Sequence, residues 1–266
     1  MRPLIQFKFG FLGLFVAEVM NNPMDDIQLF IFVILFLSTL VRSTFGFGDA
    51  VVAMPLLSMV VGIHIATPLV ALISLTIAII ILIQNWHLIH FKSAGLLIFY
   101  TFIGIPIGLF ILKGLFENVM KLILASVIIL FSLYQLTKPQ LFRLVNDKWI
   151  SFFGITAGIL GGAYNIEGPV IVIYSTLRQW NPIQLRATLQ GYFFPVALMV
   201  ALAHGLGGLW TQPVLFYYVL SLPLVFLAIF LGDKLHRKIP AKQFKQYIYI
   251  GLITVGFLLF LNTLIN

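Results

Sequence analysis

From Ile65 to Gln84 the chain runs twenty residues without a charged side chain, and further stretches of similar length and character follow it. A helix of roughly 20 apolar residues crosses the ~30 Å of hydrocarbon in a bilayer, where no water can satisfy an exposed backbone. Only 9% of the 266 residues are charged and 61% are hydrophobic, whereas a soluble domain carries about 25% charged residues. Glycine and proline fall inside the apolar runs without the dyad alternation of an outer-membrane barrel, which favours helices. The expected fold is therefore an all-α, polytopic integral membrane bundle, one membrane domain with no room for a second soluble one.

Eight hydrophobic elements can be read, at 27–61, 65–84, 95–112, 119–137, 150–177, 183–204, 213–232 and 246–264. The first and fifth are too long for one simple crossing and hold glycine clusters, RSTFGFGDAVVAMP and GILGGAYNIEGP. Glycine permits non-helical backbone and proline opens a helix without needing its own N–H, so both elements are expected to be broken or re-entrant helices. The longest polar connection, TKPQLFRLVNDKW, divides the chain into two four-helix repeats, 27–137 and 150–266, with a linker at 138–149. Asp49 and Glu167 stand 118 positions apart, Pro106 and Pro223 117, and Gly114 and Gly232 118, as an internal duplication would have it. Paired interrupted helices in two halves point to the central site of a transporter.

Ahead of these elements lies an N-terminal extension, 1–26. Arg2 and Lys8 before a short apolar run mimic a signal peptide, but no small-x-small cleavage site follows. An interfacial helix is expected there, or an upstream extension of a chain starting at Met24.

The formal net charge of +8 does not imply nucleic acid, because the basic residues sit singly or in short clusters in the connections. If every element crosses once, Lys113, Lys121, Arg178, Arg186, Lys234, Arg237, Lys238, Lys242 and Lys245 share one side. Arg2, Lys8, Lys92, Lys138, Arg143 and Lys148 take the other, so positive-inside counting places the GDKLHRKIPAKQFK connection in the cytoplasm and both termini outside. The absence of cysteine excludes disulfides, thiolate metal sites and cysteine nucleophiles. The five histidines are scattered without acidic neighbours, so neither a metal nor a cofactor is expected.

Of the eight acidic residues, only Asp49 and Glu167 fall within the membrane elements. A charged carboxylate at the bilayer centre costs at least about 2.5–3.5 kcal/mol, so such residues usually face a protein interior or an aqueous cavity. Each acid is either a structural partner closing a helix break or part of a proton-coupling or gating site, and their matching positions favour a shared role. Arg42 is the basic residue that no terminus or connection accounts for; it pairs with Asp49, attracts an anion or snorkels to the interface. Asn165, Arg186 and Gln190 are further groups able to line a polar path. Helices restarting near Asp49 and near Gly168 or Pro169 would offer unpaired N–H groups and two positive dipole ends, a geometry that can hold an oxyanion. Two acids at mid-membrane would equally suit a cation carried directly on them, and a non-transporting scaffold would pack the breaks shut.

Gly46, Phe47, Gly48 and Asp49 also match the short GxGD signature of intramembrane aspartyl proteases, whose two aspartates share a proton. That resemblance requires a Tyr-Asp pair in the preceding helix and a later Pro-Ala-Leu motif. Here no membrane acid precedes Asp49, and the nearest proline text is MPLL. No H-E-x-x-H or G-x-S-x-G motif offers another hydrolase, so an enzyme is not expected.

The glycine-rich segment followed by MPLL, its degenerate second copy GGAYNIEGPVIVIYSTLRQWNPIQLRATLQGYF, and the basic GDKLHRKIP connection resemble the TauE/SafE sulfite exporter family, over about 28–262. The resemblance implies an eight-helix bacterial membrane transporter of two related halves that moves sulfite, sulfonates or related small organic anions. It maps the family motif to Gly46, Gly48, Asp49, Ala50 and Pro55, then Gly161, Gly162, Asn165, Glu167, Gly168 and Pro169. The chain departs from the family's run of glycines at Gly48-Asp49-Ala50 and at Asn165 and Glu167, so it reads as a branch with acidic substitutions. The expected partners are a small anion and the lipid bilayer of the bacterial inner membrane; substrate identity, direction, coupling ion and oligomeric state are not written in the sequence.

Overall fold

The computed structural model describes residues 26–85, 91–137, 144, 147–180, 182–236 and 241–265. The described residues form ten α-helices: α1 (Asp26–Phe45), α2 (Asp49–Val60), α3 (Ile63–Asn85), α4 (Phe91–Gly114), α5 (Glu117–Thr137), α6 (Ile150–Tyr164), α7 (Gly168–Leu177), α8 (Pro182–Leu206), α9 (Gln212–His236) and α10 (Ala241–Ile265). A short 3-10 turn, Asp147–Trp149, leads into α6. Six of the helices, α1, α3, α4, α5, α9 and α10, are long and apolar enough to cross a bilayer; α2, α6, α7 and the 191–206 stretch of α8 are apolar but shorter.

The long elements expected at 27–61 and 150–177 are each two helices, α1 with α2 and α6 with α7. The other six each form one helix, extended by one to five residues at one or both ends. Hydropathy marks only the part of a helix that is apolar, whereas backbone hydrogen bonding continues through polar residues. Thus α9 runs through Asp233 and Lys234, and α10 begins at Ala241, so helix takes in both ends of the basic connection expected over GDKLHRKIPAKQFK. The extension at 1–25 and linker residues 138–143, 145 and 146 lie outside the described residues.

Large apolar side chains point outward along the bundle, including Phe30, Ile83, Phe99, Phe110, Leu130, Phe226 and Phe230, all more than half exposed. On a soluble protein such a surface would aggregate; against lipid tails it is already solvated. With no hydrophobic drive between helices in lipid, association depends on how closely backbones approach. The tightest contact is α4 on α6. There Gly104 faces Gly158 and Gly108 faces Gly162, while Gly154 lies against Tyr100. A Cβ added to Gly158 would lie 2.8 Å from Gly104 Cα and would collide with the Thr101 carbonyl. A Cβ on Gly162 would meet the Ile105 carbonyl and one on Gly108 the Ile159 carbonyl. Elsewhere α1 packs on α9, with Gly232 against Ser43, while α3 packs on α8 and α5 on α10. These contacts hold the ends of α1 and α6, and with them the two breaks, inside the bundle.

Candidate functional site

Each break has a local cause. In the first, Gly46 (φ 85°) and Gly48 (φ 104°) adopt left-handed backbone that other residues enter only at a cost, so the helix stops after Phe45 and restarts at Asp49. In the second, Asn165 takes φ 57° as the left-handed cap of α6. Its N–H bonds the Gly161 carbonyl at 2.7 Å, the αL closure of a helix with asparagine in the usual glycine position, and the N–H of Ile166 reaches the Leu160 carbonyl at 3.2 Å. Pro169 then opens α7, as expected from its fixed φ and missing donor. Pro55 was expected beside the first break but sits inside α2, six residues past its start, where Ser58 Oγ donates to its carbonyl at 3.1 Å. Neither N-cap, Gly48 of α2 or Glu167 of α7, caps its helix through a side-chain hydrogen bond.

The breaks are joined by buried polar side chains. Arg42 Nη1 donates to Asp49 Oδ2 at 2.7 Å, with side chains 3% and 8% exposed. Ser74 Oγ donates to the same Asp49 oxygen, and Asn165 Nδ2 donates to Ser74 Oγ at 2.8 Å. The chain Arg42, Asp49, Ser74, Asn165 thus runs from α1 through α2 and α3 to the end of α6. Ser74 is the midpoint of α3, roughly 16 Å from either end at 1.5 Å per residue. Glu167, at the N-cap of α7 and 3% exposed, lies within electrostatic reach of Arg42 and Asp49. The Arg42 guanidinium carbon stands 4.9 Å from the centroid of the Phe193 ring on α8. Beside Phe193, Tyr192 shares a 2.9 Å hydroxyl bond with Thr101 of α4 and is within electrostatic reach of Glu167.

Three polar atoms in this cluster are buried without a hydrogen-bond partner among the described residues: Arg42 Nε, Asn165 Oδ1 and Glu167 Oε2. Most buried polar groups are satisfied, and these three, one of them charged and two on residues of the hydrogen-bonded chain, leave donor and acceptor capacity facing the centre.

The structure brings together Arg42, Asp49, Asn165 and Glu167, and sets Gly48 and Gly168 at their edges. A Cβ on Gly168 would lie 3.6 Å from Phe193 and 3.9 Å from Phe47. Gly46 lies in open space, exposed at the outer side of the break. Gly162 serves the α4 contact instead, and its carbonyl meets His204 Nε2 at 2.8 Å. Arg186 and Gln190 lie on α8, but their side chains fall outside those described. Sequence reasoning missed Ser74, Tyr192, Phe193 and His204. Ser74 is one hydroxyl among several in apolar helices and carries no spacing signal. His204, at a segment end by hydropathy, is wholly buried and closes the end of α6.

Asn165→Ala should lower stability by roughly 1–3 kcal/mol, because it strands the Ser74 end of a buried network and puts alanine into left-handed backbone. Asn165→Gly keeps the backbone freedom and should lose less. Unfolding of the two variants in detergent, side by side, measures the difference.

Interrupted helices meet here at a buried, charged centre in a multi-pass helical bundle, the arrangement of a membrane protein with a polar interior. The family model for sulfite exporter TauE/SafE matches residues 30–259, and the chain belongs to that family. Its members are transporters of sulfite and related sulfur anions rather than enzymes. No curated protein and no solved structure was found to match the chain.

Proposed function

We propose that this protein is a secondary transporter that moves a small anion, such as sulfite, a sulfonate or another organic anion, across the bacterial inner membrane by alternating access around the two helix breaks. Its main support is the buried Arg42–Asp49 pair, tied through Ser74 to Asn165 at the middle of α3. A guanidinium there attracts an anion, and the N-termini of α2 and α7 add two positive dipole ends. Asp49 and Glu167 act as proton-coupling or gating groups, since an ionised carboxylate repels the anion that its protonated form can hydrogen-bond. The glycines let backbone approach the substrate closely.

The packing supports two related halves, 27–137 and 150–266. If α1 and α2 correspond to α6 and α7, and α3, α4 and α5 to α8, α9 and α10, then the α1–α9 and α4–α6 contacts exchange, as do α3–α9 and α4–α8. Such halves can rock about a shared centre, which is what alternating access requires.

The cation reading is weaker. A fixed cation already occupies Asp49, and the described residues hold no group of three His, Cys, Asp or Glu side chains able to bind a metal ion. The protease reading needs a second carboxylate on Asp49, whereas Asp49 Oδ2 meets Arg42 and Ser74.

Flux into proteoliposomes of sulfite, sulfoacetate, sulfate and a monocarboxylate, with and without an imposed pH gradient, tests the reading. Saturable uptake of at least one anion, accelerated by the gradient, is expected. Asp49→Asn and Glu167→Gln proteins that insert normally should lose the acceleration. Unchanged flux in both would remove the two acids from coupling.

A further inference from the structure

The buried centre holds one fixed cation and two acids, and Arg42 is only half used. Nη1 is taken by Asp49 Oδ2 at 2.7 Å, Phe193 covers the guanidinium at 4.9 Å, and Nε is buried with no partner among the described residues. A guanidinium is a rigid fork that suits two oxygens of one oxyanion, and a carboxylate that engages one tine leaves the other unsatisfied. Asp49 is also the first residue of α2, so the positive end of that helix dipole, which favours an anion, lies at the same place as the pair. In both respects it occupies the place of a substrate.

We propose that Asp49 is a built-in surrogate for the transported anion: an incoming oxyanion displaces it from Arg42, and the released Asp49 takes up one proton, so that anion and proton are carried together. This rests on the anion-transport reading above and adds to it a stoichiometry and a substrate class. The balance is direct. An ion pair of Arg42 and Asp49, one anion and one proton become an ion pair of Arg42 and the anion, plus a neutral Asp49 carboxyl group. No net charge is added to the buried centre, which spares the cost of holding an uncompensated ion in low dielectric. Simple binding of an anion beside an intact Arg42–Asp49 pair would add that charge.

The groups that face Asp49 leave this proton few other destinations. Among the described residues, α1 offers Arg42, α3 offers Ser74, which does not titrate, and α7 offers Glu167, with Tyr192 of α8 beyond it. On the other flank of Gly48, α5 presents Phe131, and α10 presents Tyr249 and Leu252. A monovalent oxyanion with two or three equivalent oxygens fits the exchange with one proton on Asp49. A dianion requires a second proton, for which Glu167, with its partnerless Oε2, is the acceptor.

The test is direct binding by purified protein in detergent, with methanesulfonate, isethionate and acetate as monovalent probes at pH values where the probes stay ionised. Proton uptake is read with an indicator dye in weakly buffered solution. Exchange predicts close to one proton taken up per anion bound, and a dissociation constant that rises about tenfold per pH unit where free Asp49 is ionised. Asp49→Asn removes the competitor: it should take up no proton on binding, lose the pH slope and bind about tenfold or more tightly at the alkaline end. Anion binding with no proton uptake and no pH slope would overturn the exchange and leave the anion reading standing. No binding of any probe by either protein would overturn both. The proton count and pH slope of the natural protein decide the matter even if the variant does not fold.

Discussion

Arg42→Gln should abolish the proposed anion flux and lower stability by about 3–5 kcal/mol, the cost of stranding one member of a buried ion pair. The side chain is 3% exposed and its charge is matched by Asp49, itself 8% exposed, so water cannot take over for the lost partner. The same substitution removes the stacking on Phe193 and the only described guanidinium at the breaks. Arg42→Gln combined with Asp49→Asn removes both charges and keeps two hydrogen-bonding amides. It should regain much of the stability and none of the flux. Chemical unfolding in detergent and proteoliposome uptake, run on the two single variants and the double, separate the structural part of the pair from its part in transport. If Arg42→Gln retained flux, the anion would have to be bound elsewhere.

Gly158→Val prevents the bundle from assembling. Its added atoms would enter the space now filled by the Thr101 carbonyl and Gly104 Cα, and both are backbone, which cannot move aside without shifting a helix. The loss should exceed about 3 kcal/mol, at the severe end of overpacking, with Gly158→Ala intermediate. Because α6 carries Asn165 at its end, separating α4 from α6 also pulls the polar chain apart. Gly251 of α10 has nothing within 4 Å of an added Cβ, so Gly251→Ala should leave stability unchanged or slightly raised. The yield of monodisperse protein and its thermal melting rank the three. A well-folded Gly158→Val protein would contradict the α4–α6 contact.

The breaks were legible because their chemistry is written in residue types that have little other use inside a membrane. Gly46, Gly48 and Pro169 each have a backbone preference that stops or starts a helix, and they do so where expected; at the second break the left-handed residue is Asn165, read from sequence only as a lining group, while Gly161 and Gly162 stay inside α6. The two acids and Arg42 were legible by their cost, although sequence left open whether Arg42 met Asp49 or the lipid interface. Arg42 and Asp49 stand seven positions apart, with the two left-handed glycines of the break between them, and their side chains meet at 2.7 Å.

What stayed illegible depends on contacts between distant segments. Ser74 is an ordinary serine until α3 lies between the breaks, and Phe193 is an ordinary apolar residue until α8 covers Arg42. Pro55 misled because a proline can also sit within a helix whose neighbours tolerate the missing bond. The helix ends were misjudged for another reason: polar residues such as Lys113 and Asp233 continue a helix that hydropathy has already closed.

The natural absence of cysteine makes one measurement especially direct. Ser74→Cys places a single thiol of nearly the same size between Asp49 and Asn165, at the midpoint of α3, where a membrane-impermeant thiol reagent can be offered from either side of the bilayer. The account predicts labelling from both sides in inverted and right-side-out vesicles, slowed by the transported anion in each. A thiol that reacts from neither side, or from one side only and without regard to any anion, would contradict a centre that opens alternately to the two faces of the membrane.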